Sequence, residues 1–233
     1  MAAVTETFAG GKLVKPFAWS YSKLKNFEAC PKRHWHIDVQ RDVKEEESEH
    51  LAWGNYLHKV MAERLSKGTL LPDDVKKFEK WAERILSTPG EILVEQKLAI
   101  DKSFGKCSWF GGEAWYRAIG DVIKISGPVA LVGDWKTGKI LEDSVQLALA
   151  AACVFAHYPE VMAVRSEFFW LKHDASTKEI FKREDMPQFW RGLWPRIETL
   201  KQAHEKQEYP PKPNGLCKRW CPVVKCPHYG EGR

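Results

Sequence analysis

Apolar positions keep helical spacing in the first third of the chain and near its end, and alternate as strands in between. Leu24 and Phe27 share the inner side of a short run that Ser20 or Ser22 can cap and that Pro31 follows. Leu57, Val60, Met61 and Leu65 form a longer stripe, with Ser48 as the cap and Gly68 as the stop. Between Pro72 and Pro89, residues 73–87 set Val75, Phe78, Trp81, Ala82 and Ile85 on one side of another helix. EILVEQKLAI (91–100) reads as a strand, and KCSWFGGEAWY (106–116) as a short strand and a turn. Residues 117–125 and 129–136 read as a β-hairpin around Gly127-Pro128. An apolar helix follows, capped by Asp143 or Ser144 and ending before Pro159. VRSEFFWLKH and KEIFKRED then make a second hairpin across DAST. The last helix, MPQFWRGLWPRIETLKQAHEKQ, is expected to bend or restart near Pro195. Residues 1–16 read as a flexible lead-in, and the acidic run 42–50 as a solvated connection.

A chain of 233 residues can build one substantial core, and residues 17–233 are expected to form a single domain. The net charge of +5 permits nucleic-acid binding without establishing it. No apolar run is long enough to span a membrane, and the N-terminus lacks the basic start and apolar stretch of a signal peptide. The expectation is a cytoplasmic protein with no membrane partner. Without a secretory signal, six cysteines read as reduced thiols or metal ligands.

Chemistry concentrates on the first hairpin. Side chains alternate along a strand, so Asp134 and Lys136 share a face and Trp135 takes the other. With a two-residue loop, Ser126 pairs with Val129, and the same register sets Asp121 opposite Asp134; a slip of one residue would undo it. An exposed hairpin with surface charges would show the same D-x-K. Here, however, a glycine precedes each aspartate, and Val122, Ile123, Leu131 and Val132 surround them. Carboxylates in a half-buried sheet are costly unless paired or bound to a cation. Oxygen ligands of this kind suit Mg²⁺ or Mn²⁺. A neighbouring lysine then orients a nucleophilic water or offsets charge on a phosphate. At the other end of the chain, Cys217, Cys221 and Cys226 crowd among prolines and glycines. Such thiolates suit a tetrahedral metal or an iron–sulfur cluster.

The run GD, an apolar strand, a short gap and DWKTG resembles the core of the PD-(D/E)XK nuclease superfamily. It is most similar to the RecB-type branch and the CRISPR-associated four-cysteine exonucleases, including their phage-encoded members. Ser-x-x-x-Leu-x-x-Phe-x-x-Cys-Pro at 20–31 is similar to the N-terminal motif of the four-cysteine proteins, and GNYLHKVMAE (54–63) to the helix that carries a metal-ligand histidine. The resemblance implies an α/β fold with a restriction-endonuclease-like mixed sheet flanked by helices. It also implies an N-terminal helical part, and a cysteine-rich tail over 210–233 that packs back on Cys30. It implies a DNA nuclease of exonuclease type, acting in bacterial or phage recombination, repair or replication, with a helicase or recombinase as a candidate partner. His58, Asp121, Asp134 and the Trp135 carbonyl would bind Mg²⁺ or Mn²⁺, and Lys136 would activate water. Glu95 is a secondary acid, and Gln146 matches the glutamine of a Gln-x-x-x-Tyr motif that helps hold DNA. Position 150 is alanine where that motif has tyrosine. The resemblance further implies a [4Fe–4S] cluster on Cys30, Cys217, Cys221 and Cys226. The tail spacing C-x3-C-x4-C departs from the family's C-x2-C, and zinc with Cys30 or His228 as fourth ligand is the rival. A DNA-binding or partner protein of the same fold that no longer cuts is the alternative in a different functional class.

Overall fold

The computed structural model describes residues 8–9, 12–13, 17–44, 48–141 and 143–231. Apart from Phe8–Ala9, paired antiparallel with Lys12–Leu13, the expected lead-in lies outside the described residues, as do positions 45–47 of the acidic run. The chain divides into two compact units, Ser48–Phe189 and the pair of segments Met1–Glu47 and Trp190–Arg233.

The first unit is built on a five-stranded mixed sheet. Its strands are β1 (Glu91–Ile100), β2 (Tyr116–Ser126), β3 (Val129–Lys136), β4 (Ala163–Trp170) and β5 (Ala175–Lys182), side by side in chain order. Only β3 and β4 run parallel. Parallel neighbours need a crossover, and helix α4 (Ser144–His157) supplies it. Gly127 turns the first hairpin with φ 58°, a conformation that suits glycine. Ser126 then pairs with Val129, and the ladder runs to Val122 opposite Gly133. The register is the one the two-residue loop predicts. Residues 106–116 give a tied-down loop instead of a strand: Lys106 bridges Ile100 alone, and Trp115 N–H reaches the Ile100 carbonyl at 2.9 Å.

Helices α2 (Glu49–Lys67) and α3 (Glu79–Leu86) cover one face of the sheet. Ser48 Oγ caps α2 by accepting the Leu51 N–H at 3.2 Å, and Gly68 closes it with φ 73°. Most of the amphipathic run predicted over 73–87 is shorter and tighter than expected, with a 3-10 turn at Lys76–Phe78 ahead of α3. Leu57, Met61, Val75, Trp81 and Ile85 pack against Val122, Trp135 and Phe169. Lys124 is buried within this sheet, and its ammonium donates to the carbonyls of Ile85 and Thr88 and to Thr88 Oγ1. A lysine inside an apolar strand thereby ties the hairpin to the end of α3. Burial lowers its pKa.

In the second unit, α1 (Tyr21–Ala29) starts at Ser20, whose Oγ accepts the Lys23 N–H at 3.4 Å. Helical turns over Pro31–His34 and a π-helical segment, Trp35–Gln40, follow. His34 and His36 are buried there and bonded to Asp38 and Asp42, each at 2.9 Å. These histidines hold the turn together. The last helix, α5 (Met186–Lys206), runs through Pro195 without restarting. Arg196 clamps Glu28 through two bonds of 2.6 and 2.8 Å. The tail lies against the end of α1: Asn214 Nδ2 donates to the Ala29 carbonyl at 2.9 Å, and Lys212 N–H points to Cys30 Sγ at 3.4 Å.

Candidate active site

The ladder between β2 and β3 stops at Val122 and Gly133, one pair short of the two aspartates. Beyond it, Asp121 Oδ2 accepts the Trp135 N–H at 2.8 Å, so a carboxylate replaces a strand partner. Trp135 itself is buried against Phe169, with ring centroids 4.7 Å apart. That packing explains Gly133. A Cβ there would stand 2.5 Å from the Phe169 ring and 2.7 Å from Val122. The apolar face thus anchors Trp135 and turns Asp134 and Lys136 to the opposite face.

Two linked groups result. In the first, His58 on α2 reaches the strand end. Its Nε2 lies 2.9 Å from the Trp135 carbonyl and its Nδ1 lies 3.3 Å from Asp121. Gly54, one turn before His58, faces Thr137, and a Cβ there would meet Thr137 Oγ1 in an ordinary contact of 3.4 Å. Glu95 on β1 completes the group. Ligand atoms of His58, Glu95 and Asp121 all lie within 4.8 Å of one another, the one such cluster of three or more His, Cys, Asp or Glu among the described residues. In the second group, Asp134 Oδ2 accepts from Lys136 Nζ at 2.9 Å and from Gln146 Nε2 at 2.7 Å. Lys136 Nζ also reaches Gln146 Oε1 at 3.4 Å. Asp134 is therefore engaged with Lys136 and Gln146, not drawn into the three-residue cluster.

The electrostatics show carboxylates that resist ionisation beside Lys136 and His58. Burial pushes the Asp134 carboxyl up to about 6, with Asp121 adding and Lys136 and His58 opposing. Burial, and then Asp121, also raises Glu95. For His58, burial disfavours the charged ring, but the bond to Asp121 and the charges of Asp121 and Asp134 outweigh it and raise the pKa. Crowded carboxylates that resist ionisation are what a shared cation relieves. One imidazole, two carboxylates and a nearby carbonyl match the donors that Mg²⁺ or Mn²⁺ takes.

The sequence offered Glu95 as a secondary acid, through the resemblance alone. Its backbone is left-handed, φ 49°, between the paired residues Val94 and Gln96, which aims its carboxylate into the cluster. Gln146 sits in the first turn of α4, where the helix start faces the end of β3. No periodicity shows that Gln146 bonds both Asp134 and Lys136.

The four cysteines of the second unit line one pocket together with Arg33 and His228. Burial raises the Cys221 thiol, and nearby Cys30 and Cys217 raise it further. Among the described residues, no helix is long and apolar enough to cross a membrane.

A family model of the PD-(D/E)XK nuclease superfamily matches residues 18–118. Among solved structures, a candidate exonuclease from Eubacterium rectale aligns with all of this chain and 94% of its own, at 13% identity and a TM-score of 0.45. An alkaline exonuclease from Laribacter hongkongensis, LHK-Exo, aligns with 83% of this chain and 93% of its own, at 11% identity and a TM-score of 0.38. No curated protein matches the chain.

Proposed function

We propose that this chain, whose residues 18–118 match a family model of the PD-(D/E)XK nuclease superfamily, is a DNA exonuclease that hydrolyses phosphodiester bonds with Mg²⁺ or Mn²⁺. The observation that carries the reading is the convergence of His58, Glu95 and Asp121 at the open end of the hairpin that bears Asp134 and Lys136. In this reading, His58, Glu95, Asp121 and the Trp135 carbonyl hold the cation. When bound, it polarises the scissile phosphate and stabilises the leaving oxygen. Lys136 orients the attacking water, and its ammonium offsets charge that develops on the phosphate. Asp134 and Gln146 fix where that ammonium stands. Asp134, bonded to Lys136 and Gln146, would serve as a further ligand of the cation. Gln146 also meets the DNA strand.

The cysteine pocket is proposed to hold a [4Fe–4S] cluster or zinc on Cys30, Cys217, Cys221 and Cys226. The Cys221 thiol, raised by burial and by Cys30 and Cys217 beside it, would gain from a group that takes up its charge, and the Lys212 N–H is placed to donate to the Cys30 sulfur. Bacterial or phage recombination and repair are the settings that suit such an enzyme, with a helicase or recombinase as partner.

The test is chelation and add-back. Protein dialysed against a chelator is mixed with end-labelled linear DNA, with and without Mn²⁺ or Mg²⁺. The proposal expects no cleavage until cation returns, then stepwise shortening from an end. Cleavage that persists in chelator would remove the metal role, and uniform internal cuts would remove the exonuclease role.

A further inference from the structure

The metal-ligand cluster continues outward into an exposed strip that the proposed chemistry does not use. On β1 and β2, Lys97 pairs with Ile119, one step of two residues, about 6.7 Å, beyond Glu95 and Asp121. Ile119 is 50% exposed in the middle of a strand. Beside Lys97 stands the 101–115 loop, which carries Phe110 at 86% exposure. Lys97 Nζ lies 5.9 Å from the Phe110 ring and 5.8 Å from the Trp109 ring, within cation–π range.

This aromatic is held out by a fixed loop. Asp101 Oδ1 accepts the N–H groups of Ser103 and Gly105 at 2.7 and 3.0 Å. Cys107 N–H reaches the Ala99 carbonyl at 3.1 Å. Arg117 donates to the carbonyls of Trp109 and Gly111, at 2.8 and 3.3 Å, on either side of Phe110. Arg117 fixes both flanks of Phe110 while the ring stays exposed, so a ligand can settle on the ring without reordering the loop. The ligand must have a flat apolar face and a negative charge, to match the ring, Ile119 and Lys97. It must also run on from the phosphate-handling cluster. A nucleobase with its phosphate meets all three conditions.

We propose that Phe110, with Ile119 and Lys97 beside it, is the platform on which the base next to the scissile phosphate stacks, so that the substrate is an unpaired DNA end. This rests on the DNA nuclease reading. A base inside a duplex has its faces covered by its neighbours, so the platform favours single-stranded or frayed ends.

The experiment measures binding of a short single-stranded oligonucleotide, and of the matching blunt duplex, by fluorescence anisotropy with Ca²⁺ in place of Mg²⁺. The oligonucleotide carries 2-aminopurine at its terminal base. Wild type, Phe110→Ala and Phe110→Trp are compared. Because Phe110 is exposed, these changes leave the fold intact, which circular dichroism checks. Phe110→Ala is expected to weaken single-strand binding roughly tenfold and to abolish the quenching of 2-aminopurine. Phe110→Trp is expected to restore both, and duplex binding is expected to move little. Single-strand affinity and quenching unchanged in Phe110→Ala would overturn the platform and leave the nuclease reading standing. Wild-type protein that neither binds nor cuts DNA would overturn both.

Discussion

Glu95 and Lys136 show at the residue scale how this site trades stability for chemistry. A non-glycine residue held at φ 49° stores about 1–3 kcal/mol of strain. Glu95→Gly is therefore expected to raise the denaturation midpoint while weakening Mn²⁺ binding, measured by urea unfolding and calorimetric titration on the same protein. A variant both less stable and equally avid for cation would contradict that account. Lys136 is held by Asp134 and Gln146, away from the three-residue cluster. Lys136→Ala is expected to lower cleavage by about 10²–10⁴-fold while Mn²⁺ affinity stays near wild type. The D-x-K spacing made Asp134 and Lys136 legible in the sequence, because strand alternation alone puts them on one face. The conformation of Glu95 was not legible, because it depends on a tertiary pull that no propensity encodes.

The element that decides the site is the β2–β3 hairpin. Its register followed from Gly127-Pro128, and the structure has Ser126 opposite Val129 as that loop requires. What the pattern could not show is that pairing ends before the aspartates, so that Asp121 takes the Trp135 N–H. The cause lies on the far face, where Trp135, Phe169 and Val122 close over Gly133. Gly133→Ala is expected to cost about 1–3 kcal/mol by overpacking and to reduce cleavage as well, because it displaces the strand that carries Asp134. Retained stability with full activity in urea unfolding and DNA cleavage assays would show that the Trp135 packing does not position the site. Helix α2 was equally readable from its stripe, its serine cap and its terminal glycine. In 106–116, read as a short strand and a turn, the strand part reduces to one bridge at Lys106, because the backbone there is spent on turns and on Arg117.

At the scale of the whole molecule, the α/β fold and its mixed sheet were legible through the resemblance to the PD-(D/E)XK superfamily, and the parallel pair β3–β4 has in α4 the crossover that such a pair needs. The division into two compact units was not, because one of them is assembled from the two ends of the chain. That second unit has its own prediction. Cys30→Ser is expected to lower the iron or zinc content measured by elemental analysis of anaerobically purified protein, and to increase proteolysis within 17–44 and 190–231. Wild-type protein with neither metal would contradict a ligand role for the cysteines. The central claim is that the His58, Glu95 and Asp121 cluster makes the hairpin end a metal-dependent DNA-cutting centre. Its most direct test is cleavage of end-labelled linear DNA in Mn²⁺ by wild type and by Asp121→Ala. The account predicts stepwise cleavage by wild type and none by the variant, with both proteins folded. Equal cleavage by the two, or binding without cleavage by wild type, would contradict it.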